Sequence, residues 1–145
     1  MTASNSFTPQ ERLESLKAGG LSGAVAAAVA LGLTLLNTLL GQGPAALIPV
    51  NLGAAAISGA LFGVTYRYIV RQDGNPQLAA GAVGAFGLVR GLAQLEVRLS
   101  QPPIPPVWWL ALTLVESLLL FALIKTLLQV ALTRGWIQPF GAAPD

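Results

Sequence analysis

Two charged residues stand inside otherwise lipid-like sequence. Arg90 falls in Gly84-Ala85-Phe86-Gly87-Leu88-Val89-Arg90-Gly91, and Glu116 in Val115-Glu116-Ser117-Leu118-Leu119-Leu120-Phe121. A charge in the middle of a membrane helix costs about 2.5–3.5 kcal/mol on insertion scales, so it faces protein or water and takes a partner. At 1.5 Å per residue, Glu116 lies about 14 Å from the start of its run at Val107, and Arg90 about 10 Å from the end of its own at Val97. In antiparallel neighbours those two ends meet the same boundary. An intramembrane Arg90–Glu116 pair is therefore expected, with Gln94 beside it. Arg90, Gln94 and Arg98 recur at i, i+4 and i+8, which gives their helix one polar stripe. Such a pair can lock two helices, or it can serve as an ion or proton site or as an anchor for a polar partner. A proton path needs several relay groups, and beyond Glu116 the candidates are Ser117, Thr113 and the amides Asn37 and Gln94.

The rest of the inventory argues against catalysis. The chain has six Asp and Glu residues, no His and no Cys. That leaves no His or Cys metal-ligand spacing, and no phosphate loop or nucleophile motif is present. Glu11 and Glu14 lie close together, but on a segment whose charges read as solvated. No catalytic residue, metal or cofactor is expected, and the chain reads as non-enzymatic. Its eight Lys and Arg leave a net charge of +2, and the isoelectric point is near 9.5. These cations are scattered at the edges of apolar runs and form no patch for nucleic acid.

The elements that must position Arg90 and Glu116 are membrane spans. Of 145 residues, 54% are apolar and 10% charged, against about 25% charge in ordinary soluble domains. A hydrocarbon core about 30 Å thick takes about 20 predominantly apolar residues per helix. Four stretches qualify, at about 18–40, 50–70, 77–97 and 107–132. Gly41-Gln42-Gly43-Pro44, Asp73-Gly74-Asn75-Pro76 and Pro102-Pro103-Ile104-Pro105-Pro106 separate them, and each disfavours helix. Thr8-Pro9-Gln10-Glu11 is a capping box with Pro at the first helical position. It opens a short amphipathic helix over about 9–17, either a solvated extension of the first span or an interfacial helix. The first apolar run is too long for a signal-peptide core, so it reads as retained. The fold expected is an all-α, single-domain bundle of four transmembrane helices, sequential helices being antiparallel neighbours.

Small residues tell how the spans associate. Gly19 and Gly23, Gly59 and Gly63, and Gly87 and Gly91 are each a G-x-x-x-G on one helix face, with Gly84 beside the third pair. Lipid is as apolar as Leu, so helices in a bilayer associate by close backbone approach across such faces. These faces pack either the chain's own helices or another molecule. Trp108, Trp109 and Trp136 flank the fourth span, and Tyr66, Arg67, Tyr68 and Arg71 cluster at the end of the second. Both groups read as interfacial anchors. Four spans put both termini on one side. That side holds Arg12, Lys17, Arg67, Arg71, Lys125 and Arg134, which makes it the cytoplasmic face.

The stretch from Gly59 to Glu96, with Tyr66-Arg67-Tyr68, Gln72-Asp73-Gly74-Asn75-Pro76 and Gly84-Ala85-Phe86-Gly87-Leu88-Val89-Arg90-Gly91, resembles small multi-span proteins of cyanobacterial and chloroplast membranes. The resemblance implies a thylakoid or cytoplasmic membrane protein that accompanies photosynthetic or respiratory complexes, with termini cytoplasmic or stromal. It assigns no residue a role. The functional expectation is an accessory, assembly or scaffold protein whose partners are the lipid bilayer and other membrane subunits. The alternatives are a small transporter or channel built on Arg90 and Glu116, and a lipid- or pigment-interacting protein.

Overall fold

The computed structural model describes residues 8–41, 45–70 and 75–141. It is built of four helices, α1 Pro9–Leu39, α2 Ile48–Val70, α3 Pro76–Leu99 and α4 Val107–Thr133, with one 3-10 turn at Ala45–Leu47 and no strand among the described residues. All four are long and apolar enough to cross a membrane. The expected all-α four-helix membrane bundle is the fold observed.

Local chemistry sets the ends. The Thr8 hydroxyl accepts from the Glu11 N–H at 3.2 Å, and the Thr8 N–H donates to the Glu11 carboxylate at 3.0 Å. This reciprocal box fills two donors that a helix start leaves open. Asn75 caps α3 with a single bond, its side-chain oxygen accepting from the Gln77 N–H at 2.9 Å ahead of Pro76. Past the end of α1, Gly41 takes a φ of 72° and donates to Thr38 at 3.0 Å. Only glycine occupies that left-handed turn without strain.

The helix expected over 9–17 does not stand apart, because α1 runs unbroken for 31 residues. Glu14, Ser15, Ala18, Gly19, Ser22, Gly23, Ala26 and Ala30 are its buried residues. They follow one helical stripe across the junction, so a single partner surface holds both parts straight. A helix of this length spans roughly 46 Å, and its first turns therefore project beyond a 30 Å hydrocarbon core.

The helices pack as two close hairpins, α1 with α2 and α3 with α4, joined by fewer contacts between them. Glycine sets the first seam. A Cβ at Gly59 would stand 2.7 Å from the Ser22 carbonyl oxygen, and one at Gly63 2.5 Å from that of Ala18. A Cβ at Gly23 would stand 2.9 Å from the Ala56 oxygen, while at Gly19 the nearest atom is the Val64 Cγ2 at 3.1 Å. In the second seam, Gly87 and Gly91 receive Leu118 and Leu114, whose Cδ2 atoms would lie 2.7 and 2.8 Å from an added Cβ. Gly84 is different, with open space beside it.

Aromatic rings join the hairpins. Phe62 of α2 lies 5.4 Å from Phe86 of α3 and 5.1 Å from Phe121 of α4, centroid to centroid. Tyr66 stacks on Phe62 at 5.6 Å and is fully enclosed. Burial is uneven along the bundle. No residue of α1 beyond Ala30, of α2 before Ala55, or of α3 beyond Gly91 is buried. The packed core therefore lies toward the end where α1 begins and α4 finishes. Toward the α1–α2 and α3–α4 connections α1, α2 and the end of α3 contribute no buried residue, while α4 keeps Trp109, Thr113 and Ser117 buried.

Candidate functional site

Most of the intramembrane polar groups lie in that less buried half. On α3, Gly87 and Gly91 turn toward α4, and Gln94 continues that line. The Ser117 hydroxyl of α4 donates to the Gln94 amide oxygen at 2.9 Å. This bond, not an ion pair, is the polar link between the two helices.

Arg90 and Glu116 are not brought together. Among the described residues the ion pair present is Glu14–Lys17, at 2.6 Å. Helix geometry explains why. Leu114, Ser117 and Leu118 form the α4 surface against Gly87 and Gly91. Glu116 is two residues from each leucine, which at about 100° per residue turns it well away from α3. It faces α1, where the Asn37 amide is its polar neighbour, and the Arg98 charge acts on it as well. Arg90 stands one turn beyond Phe86, on the flank of α3 between α2 and α4. It is half-buried, and no hydrogen bond or ion pair joins its guanidinium to any described residue. Depth was readable from residue counting. Rotation was not, because it depends on which face of α4 the glycines select.

A second polar cluster closes the opposite end, centred on Arg67. The sequence reads Arg67 and Tyr66 as interfacial anchors, yet both are buried, Arg67 to 3% exposure. The Arg67 Nε donates to the Gln138 carbonyl at 2.8 Å. Its Nη1 donates to the Glu11 carbonyl at 2.9 Å and to the Ser15 hydroxyl at 2.6 Å. The guanidinium also lies 5.7 Å from the Phe140 ring, which packs on Tyr68 at 4.7 Å. Glu14 binds the same segment, accepting from the Gln138 N–H at 3.0 Å. Arg67 thus joins α1, α2 and the chain that follows α4. A cleft of about 140 Å³ opens beside it, between Glu11, Glu14, Arg67 and Gln138. Arg67 is anchored inward because the residues after α4 fold back over it. Gly135, at a φ of 71°, starts that return. The glycine at position 135, directly after Arg134, was the available sequence signal.

The remaining anchors divide. Trp108 and Trp136 are exposed, and Arg134 lies over the Trp136 ring at 5.7 Å. Trp109 is buried against the bundle and stacks on Trp108 at 4.8 Å. Arg71 lies outside the described residues. No group of three metal-ligating side chains converges among the described residues. Comparison with protein-family models, with curated proteins and with solved structures gives no match.

Proposed function

We propose that this chain is a non-enzymatic accessory, assembly or scaffold subunit that binds other membrane subunits through the less buried half of its bundle. The observation that carries this reading is the uneven burial: α1 and α2 are tightly joined by their glycine seam at one end, and helices have no buried residue over 31–39, 48–54 and 92–99 toward the other. Helices in lipid associate through close contact and polar bonds, so faces left open in this way are free to receive further helices. Gly53 lies on such a face, with open space where a side chain would stand. The chain is also short in its connections, which leaves the spans themselves as the interaction surface. In this reading the membrane is a thylakoid or cyanobacterial cytoplasmic membrane, and both termini are cytoplasmic or stromal.

The test is purification of the tagged chain from its native membrane in a mild detergent. A stoichiometric assembly larger than the chain itself is expected. A free monomer or homo-oligomer that supports pH-dependent flux in vesicles would replace this reading with transport through Arg90 and Glu116.

A further inference from the structure

We infer that Arg90 is the recognition point for a partner transmembrane helix that carries a carboxylate at the same depth, seated where α2, α3 and α4 open toward the α3–α4 connection. This deepens the accessory-subunit reading and rests on it for the existence of a partner, though not for the partner's chemistry.

Arg90 lies about 10 Å inside the span boundary at Val97, counted at 1.5 Å per residue. Ionised groups at such depth are held by opposite charge, by backbone carbonyls or by water-filled cavities. Within the chain none of the obvious groups serves. Glu116, the carboxylate deepest in the spans, is turned to Asn37 of α1, with the Arg98 charge acting on it from α3. Gln94 is engaged with Ser117. Arg90 is half-buried with no hydrogen bond or ion pair to a described residue.

The packing around it has the shape of a seat. Phe62 and Phe86 touch at 5.4 Å and close the space between α2 and α3 one turn below Arg90. Above that contact the α2 buried set runs out at Ala55 and the α3 set at Gly91. Asn51 and Ser58 share the helical face of α2 that carries Phe62, spaced i, i+7 and i+11. The Ser58 hydroxyl is turned back to its own helix, at 3.1 Å from the Ala55 carbonyl. The mouth is therefore mainly apolar in its walls, with the Asn51 amide near its rim, and positive at its floor. An acyl chain would cover the walls and leave the cation unmatched. A headgroup phosphate lies at the boundary, about 10 Å from the Arg90 backbone level. A helix bearing Asp or Glu satisfies both the walls and the charge, and a bidentate Arg–carboxylate contact fixes its register.

A defined probe tests this without the native partner. The full chain carries a donor dye on a single cysteine replacing Gln101, which is possible because it has no native Cys. It is placed in phosphatidylcholine vesicles with Leu/Ala transmembrane peptides that carry an acceptor dye. The peptides have Glu, Gln or Leu about 10 Å from one end, or Glu moved into the headgroup region. Energy transfer is expected to give roughly tenfold tighter binding for the buried-Glu peptide than for the other three. Arg90→Gln should abolish that preference, Arg90→Lys should retain part of it, and Glu116→Gln should leave it unchanged. The comparison of peptides on the unmodified protein holds even if Arg90→Gln fails to fold. Equal binding of the Glu, Gln and Leu peptides overturns the inference. So does self-association that Arg90→Gln abolishes, which makes a second copy the occupant. So does loss of the Glu preference on adding phosphatidylglycerol, which makes a lipid headgroup the occupant. The accessory reading would survive each of these results if the native assembly is isolated, and the peptide result stands even if it is not.

Discussion

Adding one methyl group at Gly63 should separate α1 from α2, and the same methyl at Gly53 should do nothing of the kind. A Cβ at Gly63 would meet the Ala18 carbonyl oxygen at 2.5 Å and the Ser22 Cβ at 2.7 Å, where ordinary contact begins at 3.4 Å. The oxygen belongs to helix backbone and cannot swing aside, so the seam must open by about 0.9 Å. Overpacking of this kind costs about 1–3 kcal/mol. The opposing gain is the helix propensity of Ala over Gly, about 1 kcal/mol measured in water. At Gly53 an added Cβ meets nothing within 4 Å, so only that gain remains. The propensity gain is common to both variants, so Gly63→Ala should be less stable than Gly53→Ala by the overpacking cost, about 1–3 kcal/mol, with Gly53→Ala above the parent. Unfolding in mixed micelles of a mild detergent and dodecyl sulfate, followed by far-ultraviolet circular dichroism, reads the difference. Equal midpoints for the two variants would refute the seam. A second check is Gly59→Ala, which should resemble Gly63→Ala because it too meets a backbone oxygen.

Three further outcomes follow from the polar contacts. Arg67→Gln should cost about 3 kcal/mol, since it strands the Glu11 and Gln138 carbonyls, and it should speed carboxypeptidase trimming of the C-terminal segment. Arg67→Lys should recover less than half of that loss, because a single ammonium cannot reproduce the guanidinium fork. The Arg90→Gln and Glu116→Gln changes should be additive within about 0.5 kcal/mol in a double-mutant cycle of thermal stability, whereas Asn37→Leu with Glu116→Gln should show coupling above that level. Thr8→Ala should lower stability by about 1 kcal/mol through loss of the cap, read in the same unfolding assay.

The fold was legible because span length, breaker positions and small-residue spacing each report on one helix at a time. The capping box at Thr8 and the Gly19/Gly23, Gly59/Gly63 and Gly87/Gly91 faces are local facts, and each appears where its spacing puts it. What escaped was rotation and return. The depths of Arg90 and Glu116 are matched in the sequence, but the leucines that fill the α3 glycines turn Glu116 toward α1. Arg67 has the flanking aromatics of an interfacial anchor. Its burial depends on residues 137–140, which lie about seventy positions away and fold back after Gly135. Gly84 has the spacing of a packing residue and meets nothing, because the chain's own helices use only part of the glycine-bearing surface.

The central claim is a four-span bundle in which α1 begins and α4 ends on the same side of a membrane. Single cysteines at Ser6, Gln42, Asn75 and Gln101, introduced one at a time, can be probed with an impermeant maleimide in sealed vesicles of known sidedness. Ser6 and Asn75 should label from one side, and Gln42 and Gln101 from the other. Labelling of Gln42 and Asn75 from the same side would mean that α2 does not cross, and the account would fall with it.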